Sequence, residues 1–573
     1  MKKSYLLFIA AGLCCLAACN KEVEITEIPE SPESVKMISE TITASLGTST
    51  KVTIADGGDF AWTLGDNIAV HVTNGDSHKY VVTSSGASVA ASSASFTVSY
   101  EEGYSRDAFA IFPSTIVSET ATNYGQSGTA LDVTLPATYT LAEVSDVAPC
   151  PMIADNTGSG WTFSHLCGLL RLTVNSIPSD ATGIVIQFPG KKVNGAFSIA
   201  STVTPGTSTI ETATPASGED QITVTFAAGV TSATVNLPLP TGDYDDVFIT
   251  PVGSETKVAA VRHIKAGGYT VQAAHGKKLT TTLVSFSVAA NKKVVFAPGN
   301  LQYQASSGKW RFAENQWTYI GDNAGNTTAE GSRATQSDWI DLFGWGTSGW
   351  NNSGSSYGLY YYPYNSVYND ESADTAAQYG PTGTSDLTGT FARGDWGVNN
   401  AIGDYPAGTW RTPTGKSGDG DLYYLLFVRD DSANPQKSAY AIVNGNKGVI
   451  LLPDVFIDPR TNAHVNYGPN FIPIYSSLRN SYSGDGWKAM EEAGAVFFPM
   501  AGYRSGTTIS SVESYGYYWT ATAGVKKAAK DEKPEVPAES NASRILIRSD
   551  KYIFSSTQLR SSGLSVRLVR DLN

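Results

Sequence analysis

The strongest constraint on this chain's fold is a one-for-one alternation of apolar and polar side chains through its first half. Ile222, Val224 and Phe226 alternate with Thr223 and Thr225. Leu170, Leu172 and Val174 alternate with Arg171 and Thr173. Val235, Leu237 and Leu239 alternate with small or polar residues and Pro238. A period of two places every second side chain on one face of an extended strand, which a helix cannot do. The β-branched residues suit that pleated surface. Turn signals recur between the runs, as at Asp56-Gly57-Gly58, Asn74-Gly75-Asp76 and Thr241-Gly242-Asp243. No helical pattern of convincing length interrupts them. Half-buried strands must cover one face against another sheet, so residues 40–178 and 179–286 are expected to form two stacked β-sandwiches.

At 573 residues the chain is too long for one core, since domains average ~150 residues. Charged residues make up 16% and hydrophobic ones 41%. That sparsely charged, Ser/Thr/Gly-rich surface suits an extracellular β protein. The formal net charge of −13 repels polyanions, so no nucleic-acid partner is expected.

Lys2 and Lys3 precede an apolar run over residues 5–16, followed by Leu16-Ala17-Ala18-Cys19. A basic start, an apolar centre and small residues make an export signal. The Leu-Ala-Ala-Cys end resembles the lipobox of bacterial lipoproteins, which implies removal of residues 1–18 and lipid attachment to Cys19. The run is shorter than the ~20 residues a membrane span needs. Residues 19–39 carry Glu, Pro and Ser with no apolar periodicity, as expected of a flexible leash. Its start, Asn20-Lys21-Glu22-Val23-Glu24, resembles the surface-export signal of some Gram-negative lipoproteins. The implied location is the outer membrane, facing the cell exterior.

Three of the five cysteines belong to the signal, leaving Cys150 and Cys167. Outside the cytosol this pair either forms a disulfide or stays as two buried free thiols; the sequence leaves both open.

Residues 60–70, Phe-Ala-Trp-Thr-Leu-Gly-Asp-Asn-Ile-Ala-Val, resemble the "W…GD.I.V" strand of fimbrillin-like proteins. Residues 163–172, Phe-Ser-His-Leu-Cys-Gly-Leu-Leu-Arg-Leu, resemble their "F.H..A.L.L" strand, and Ile264-Lys265-Ala266-Gly267-Gly268-Tyr269 their closing segment. The resemblance spans about residues 40–285. It implies a lipidated precursor with two transthyretin-like sandwiches, serving as a pilus subunit or related surface adhesin. Read physically, Trp62 and Phe163 are core residues, His165 a satisfied core histidine, and Gly65-Asp66 a turn. Shaft subunits of that family mature by proteolysis after a basic residue ahead of the body, which frees a groove for a partner's strand. Here the first arginine is Arg106, inside the first sandwich. Cys19 is therefore expected to remain, leaving an anchor, a tip or a stand-alone surface protein.

Composition shifts at residue 287: nine of the eleven tryptophans follow it. Short strands are expected near residues 296–303, 310–312, 317–321, 448–453, 495–499, 517–522, 544–547 and 564–570. Helices are expected after Ser337 and over residues 419–429 and 485–493, giving an α+β unit over residues 287–573. Pro298-Gly299-Asn300-Leu301-Gln302-Tyr303, Trp410-Arg411-Thr412-Pro413-Thr414, Ala501-Gly502-Tyr503-Arg504, Tyr517-Tyr518-Trp519-Thr520 and Ser565-Val566-Arg567-Leu568-Val569-Arg570 occur in that order. They resemble a recurrent surface domain of the same bacteria. They are also similar to the C-type-lectin-like fold of the formylglycine-generating enzyme and of diversity-generating retroelement targets.

No cysteine follows Cys167, so the redox chemistry of the formylglycine-generating branch is not expected. There is no His/Cys cluster with metal-ligand spacing, no nucleophile elbow and no phosphate-binding loop. Asp430-Asp431 and Glu491-Glu492 read as solvated charges. Asp419 and Asp421 read as helix caps, with Ca²⁺ ligation the alternative. No catalytic residue, metal or cofactor is expected.

Binding is the better-supported use. Trp345, Trp350 and Asn351 lie in a Gly/Ser-rich loop, with Tyr360, Tyr361 and Tyr362 close behind. Flat apolar faces beside hydrogen-bonding groups suit sugars and protein loops, although such rings also pack a domain's own loops together. The lectin-like resemblance adds Tyr503, Arg504 and Tyr515 near its ligand face. Residues 526–543 read as an exposed, charged insert. The expected protein is a lipid-anchored surface molecule, its fimbrillin-like half a stalk. Its C-terminal unit would bind a glycan or a host or bacterial surface protein. The alternatives are an anchor or tip subunit of a pilus and a carbohydrate-capture lipoprotein for polysaccharide uptake.

Overall fold

The computed structural model describes residues 35–46, 62, 64–75, 77–84, 92–117, 131–145, 150–156, 160–199, 218–264, 269–271, 273, 275–322, 324–327, 337–352, 357–363, 372–415, 420–429, 437–459, 463–464, 480–524, 537–548, 552–553 and 557–572. Cys19, the expected leash up to residue 34 and most of the insert after residue 524 lie outside them. The end of that leash, expected to reach residue 39, is instead strand from Met37, paired with Ser93–Glu101. The fold is mainly β, as the alternation predicts.

The first core lies under a seven-stranded sheet. Its strands run, edge to edge, Ser77–Val82, Ala69–Asn74, Ser105–Phe112, Met152–Asn156, Trp161–His165, Met37–Leu46 and Ser93–Glu101. Along Ser93–Glu101 the period of two is visible residue by residue. Ala94, Phe96, Val98 and Tyr100 are buried, while Ser93, Ser95, Thr97 and Ser99 are exposed. Trp62 sits at the centre of this core, with its ring edge-on to Phe96, Phe112 and Phe163 at 5.2, 5.2 and 5.1 Å. Burying one such side chain contributes ~1.5–3 kcal/mol, so Trp62 acts through packing. Phe163 and His165 are buried, and Leu64 and Gly65 form a turn. The positive φ of Gly65, 105°, suits glycine there.

The second core lies between two sheets. One has Ala260–His263, Asp246–Val252, Gly183–Gln187, Gln221–Thr225 and Thr138–Thr140; the other has Ser232–Leu239, Gly168–Asn175 and Gly276–Thr282. The alternating residues Leu170, Leu172, Val174, Ile222, Val224, Val235 and Leu237 meet there.

The cores do not divide the chain at residue 178. Tyr139 and Val144 pack into the second core, whereas Phe197 and Ile199 pack into the first. Gly195–Ile199 crosses back to pair with Leu131–Leu135, and Thr138–Thr140 pairs in parallel with Gln221–Thr225. Asn236 Nδ2 fixes the crossing by donating to the carbonyls of Val144 and Ser145 at 3.2 and 2.9 Å. Local alternation cannot foresee these exchanges, because each strand has the same pattern whichever sheet it joins.

Cys150 and Cys167 are free, fully buried thiols of the first core. Cys150 Sγ lies 4.0 Å from the Cys167 carbonyl oxygen. Burial pushes both thiols well above their ordinary pKa. Of the two alternatives the sequence leaves open, the structure holds the free pair.

The C-terminal unit closes on itself. Val569–Leu572, at the end of the chain, pairs with Lys292–Phe296, which also pairs with Phe286–Ala289. Its core begins at Val284 and includes Phe286, just before the expected boundary. Further sheets contain Asn446–Leu451 between Ser438–Val443 and Val496–Pro499, and Tyr515–Ala523 against Asn541–Arg548. The helix Gly484–Glu492 starts where Ser483 Oγ accepts from Gly486 N at 3.0 Å, and it buries Trp487 and Met490.

One helix expectation fails: Ser337 starts no helix, and Trp339–Ile340 is a short strand on Leu301–Gln304. The helix expected over residues 419–429 is present over 421–428, where Asp421–Tyr423 continues into a wider-wound helical stretch, Tyr424–Val428. Asp421 is an ion-pair hub: it accepts from Arg411 at 2.5 Å, from Lys292 at 3.3 Å and from the Thr414 amide at 3.1 Å. Asp419 lies outside the described residues.

The second sandwich and the C-terminal unit are packed together. Phe248, Ala259 and Val295 form a small shared cluster, and the Arg570 guanidinium sits 3.6 Å from the Phe248 ring centroid. Arg262 faces Glu491 at 3.5 Å and Lys191 faces Asp404 at 3.1 Å. His263 pairs through Nδ1 with Asp246 and lies 3.3 Å through Nε2 from the Ala313 carbonyl.

Candidate functional site

The aromatic loop splits into a buried foundation and an outward face. Trp345 belongs to the foundation. It is 0% exposed, and its Nε1 donates to the Thr520 carbonyl at 2.8 Å. The Arg560 guanidinium lies 4.5 Å from its ring centroid. Gly380 (φ 67°) packs so close that a Cβ there would come within 2.7 Å of the Trp345 ring. The expectation that Trp345 touches ligand is therefore corrected: its ring holds the loop in place from below.

Above it, Gly349 N donates to the Tyr361 carbonyl at 2.7 Å, Gly358 N to Gly380 at 2.7 Å and Tyr360 N to Gln378 at 3.1 Å. Tyr357 donates its hydroxyl to the Gly346 carbonyl, and burial pushes that phenol far above its ordinary pKa. These bonds fix a run of rings. Trp350 lies edge-on to Tyr357 at 5.0 Å, Tyr360 stacks on Tyr379 at 5.0 Å, and Tyr361 tilts against Tyr362 at 4.5 Å. Arg393 approaches the Trp350 ring at 5.8 Å. Trp350, Tyr360 and Tyr361 are half-buried, and Asn351, Leu359 and Tyr362 are exposed.

The second group surrounds Tyr503. Arg504 is corrected here as well: it is 0% exposed, and its Nη1 donates to the Leu342 carbonyl at 2.9 Å. Gly563 gives it room, since a Cβ there would lie 2.3 Å from Arg504 Nη2. Tyr503 and Tyr515 are half-buried and converge on Tyr517, at 4.9 and 6.1 Å between ring centroids. The Arg544 guanidinium lies 4.5 Å from the Tyr517 ring centroid. Neither Tyr517 nor Arg544 is among the residues singled out from sequence. The signal was present for one of them: alternation along Tyr515–Ala523 puts Tyr515, Tyr517 and Trp519 on one face. Arg544 joins them through the antiparallel register, which sets it opposite Trp519.

Two further hollows adjoin these elements. One of about 450 Å³ beside Tyr515 is lined by Tyr440, Lys447, Glu513 and Arg548. Another of about 560 Å³ lies where the second sandwich meets the C-terminal unit, between Asp245, His263, Trp310, Trp339 and Asp404. Burial and the neighbouring carboxylates raise Asp245 above its ordinary pKa.

No family model and no curated protein matches the chain. Among solved structures it is similar to a candidate cell adhesion protein from Bacteroides ovatus, at 13% identity and a TM-score of 0.28, covering 44% of this chain and 92% of that one. A candidate cell adhesion protein from Bacteroides uniformis gives 20% identity and a TM-score of 0.25, covering 43% and 93%. A fimbrial protein from Bacteroides ovatus gives 10% identity and a TM-score of 0.19, covering 93% and 99%. With TM-scores of 0.28 and below, these likenesses carry no part of the argument. The fold rests on the strand pairings of the chain itself.

Proposed function

We propose that this chain is a surface lipoprotein, tethered through Cys19, that adheres to or captures a ligand through its C-terminal unit. The fimbrillin-like half serves as stalk. The observation that carries the reading is the partly exposed aromatic face of Trp350, Tyr360, Tyr361 and Tyr362, held from below by Trp345 and Arg560. Rings fixed before binding lose little entropy when a ligand arrives, and their faces suit sugar C–H surfaces or apolar protein loops. Asn351 adds a hydrogen-bonding group at the rim. No catalytic step is part of this reading.

The test is a glycan and surface-protein array probed with the chain lacking residues 1–18. A single ligand class should bind, and Trp350→Ala or Tyr361→Ala should weaken it at least tenfold without unfolding the protein. Unchanged binding by both variants would make the aromatic face a packing feature and sink the proposal.

A further inference from the structure

Arg544 occupies an unusual position. It is 7% exposed, and its Nε and Nη1 are buried with no hydrogen-bond partner. Among the described residues, no carboxylate lies within ion-pair distance of it; its one charge contact is the Tyr517 ring at 4.5 Å. Each other buried arginine of the unit reaches at least one acceptor among the described residues, although Arg567 also keeps an unpartnered Nε. Arg560 donates to the carbonyls of Asn541, Tyr379, Pro381 and Gly383 at 2.9, 3.2, 2.7 and 2.8 Å. Arg567 reaches Asn300 and the Phe497 carbonyl, both at 3.3 Å. Buried guanidinium nitrogens without acceptors destabilise a fold, and each one calls for an explanation. Burial alone lowers its pKa to about 10, so it still carries its charge at neutral pH.

Its surroundings indicate the missing partner. Tyr503, Tyr515 and Tyr517 are half-buried rings beside it, and Arg548 stands opposite Tyr515 in the same strand pair. A planar guanidinium fork matches a carboxylate in two parallel hydrogen bonds, and aromatic walls accept the C–H face of a pyranose. We propose that Arg544 and the tyrosines around it form a subsite for a carboxylate-bearing sugar, with Arg544 taking the carboxylate and Tyr503 and Tyr517 the ring. The subsite deepens the binding role proposed above but uses different residues, so the two readings fail separately.

The test is titration calorimetry of the chain lacking residues 1–18 with oligosaccharides ending in glucuronate, alongside the same compounds as methyl esters. N-acetylglycine serves as a carboxylate without a sugar. The acid should bind at least tenfold more tightly than its ester and than N-acetylglycine. Arg544→Gln should abolish the preference, and Arg544→Lys should keep only part of it. Arg544→Met should leave the melting temperature unchanged or raised, since it removes an unpaired buried charge. Equal binding of acid and ester, no binding of the acid, or N-acetylglycine binding as tightly as the sugar acid would each overturn the proposal. So would an Arg544→Met variant that melts lower, because the arginine would then be holding the fold. Unchanged array binding in Trp350→Ala and Tyr361→Ala with Arg544-dependent uronate binding intact would count against the aromatic face alone.

Discussion

Arg411 holds Asp571 with two parallel hydrogen bonds, Nε to Oδ2 at 2.7 Å and Nη2 to Oδ1 at 2.6 Å, across 160 residues of chain. The same guanidinium donates Nη1 to Asp421 at 2.5 Å. The Trp-Arg-Thr-Pro stretch is therefore a clasp that fastens the final strand and the Asp421 turn to one point. Arg411→Met leaves Asp421 buried with Lys292 as its remaining ion partner. It should lower stability by ~2–3 kcal/mol, the scale of hydrogen bonds to charged groups. Urea unfolding of the variant checks this, and Arg411→Lys should recover only part, because a lysine cannot grip both oxygens.

Acid should loosen the C-terminal unit through two carboxylates. Burial pushes Asp571 up, but its bonds to Arg411 outweigh that and leave its pKa below the ordinary 3.8. Asp454 is likewise below 3.8, with burial outweighed by the Ser287 amide and hydroxyl and by Arg429. Depressed folded-state values mean stability that is present above 3.8 and lost as pH falls through the folded values. His263 has the opposite sign. Burial lowers its pKa, yet Asp246, the Glu491 carboxylate and the Ala313 carbonyl outweigh that and raise it above 6.5. Both ring nitrogens face acceptors, which only the doubly protonated ring can satisfy. Its contribution is complete below pH 6.5 and lost as pH rises through the folded value. Thermal melts across pH should show both arms, with His263→Gln flattening the alkaline one and Asp571→Asn reducing the acid one.

Cys150 and Cys167 should resist thiol reagents in the folded protein. The thiolate is the reactive form, and full burial suppresses it in both residues. A chromogenic disulfide reagent should react with them only after urea unfolding, and a reductant should leave the melting temperature unchanged. Rapid labelling of the native protein would contradict their placement in the first core.

Trp345→Ala and Tyr362→Ala should separate foundation from face. Trp345 is fully buried, so its truncation should cost ~3–5 kcal/mol. Tyr362 is 40% exposed, and its truncation should change stability by no more than ~0.5 kcal/mol. Chemical denaturation of the two variants side by side makes the comparison.

Phe197→Ala should weaken the first core although residue 197 falls in the sequence range expected for the second. A buried phenylalanine truncation costs ~3–5 kcal/mol, and Phe197 packs with the set that includes Trp62 and Trp161. Loss of protease resistance confined to the second sandwich would contradict the crossing.

The sequence by itself determined which residues face inward along each strand, because a period of two needs no knowledge of neighbours. Leu170, Leu172, Val224 and Val235 are buried as their alternation requires. It also marked which stretches carry the rings of the C-terminal unit. The tertiary structure decided which sheet each strand joins: Gly195–Ile199 and Thr138–Thr140 exchange cores through pairings across many residues. It decided too which aromatic rings reach the surface and which basic groups find acceptors. Trp345 carries the same chemistry as Trp350, yet Gly380 packed against it helps seal it in, as Gly563 does for Arg504. Register sets Arg544 beside Tyr517 with no acceptor. Satisfaction of a buried charge depends on groups brought from distant segments, and no local pattern contains it.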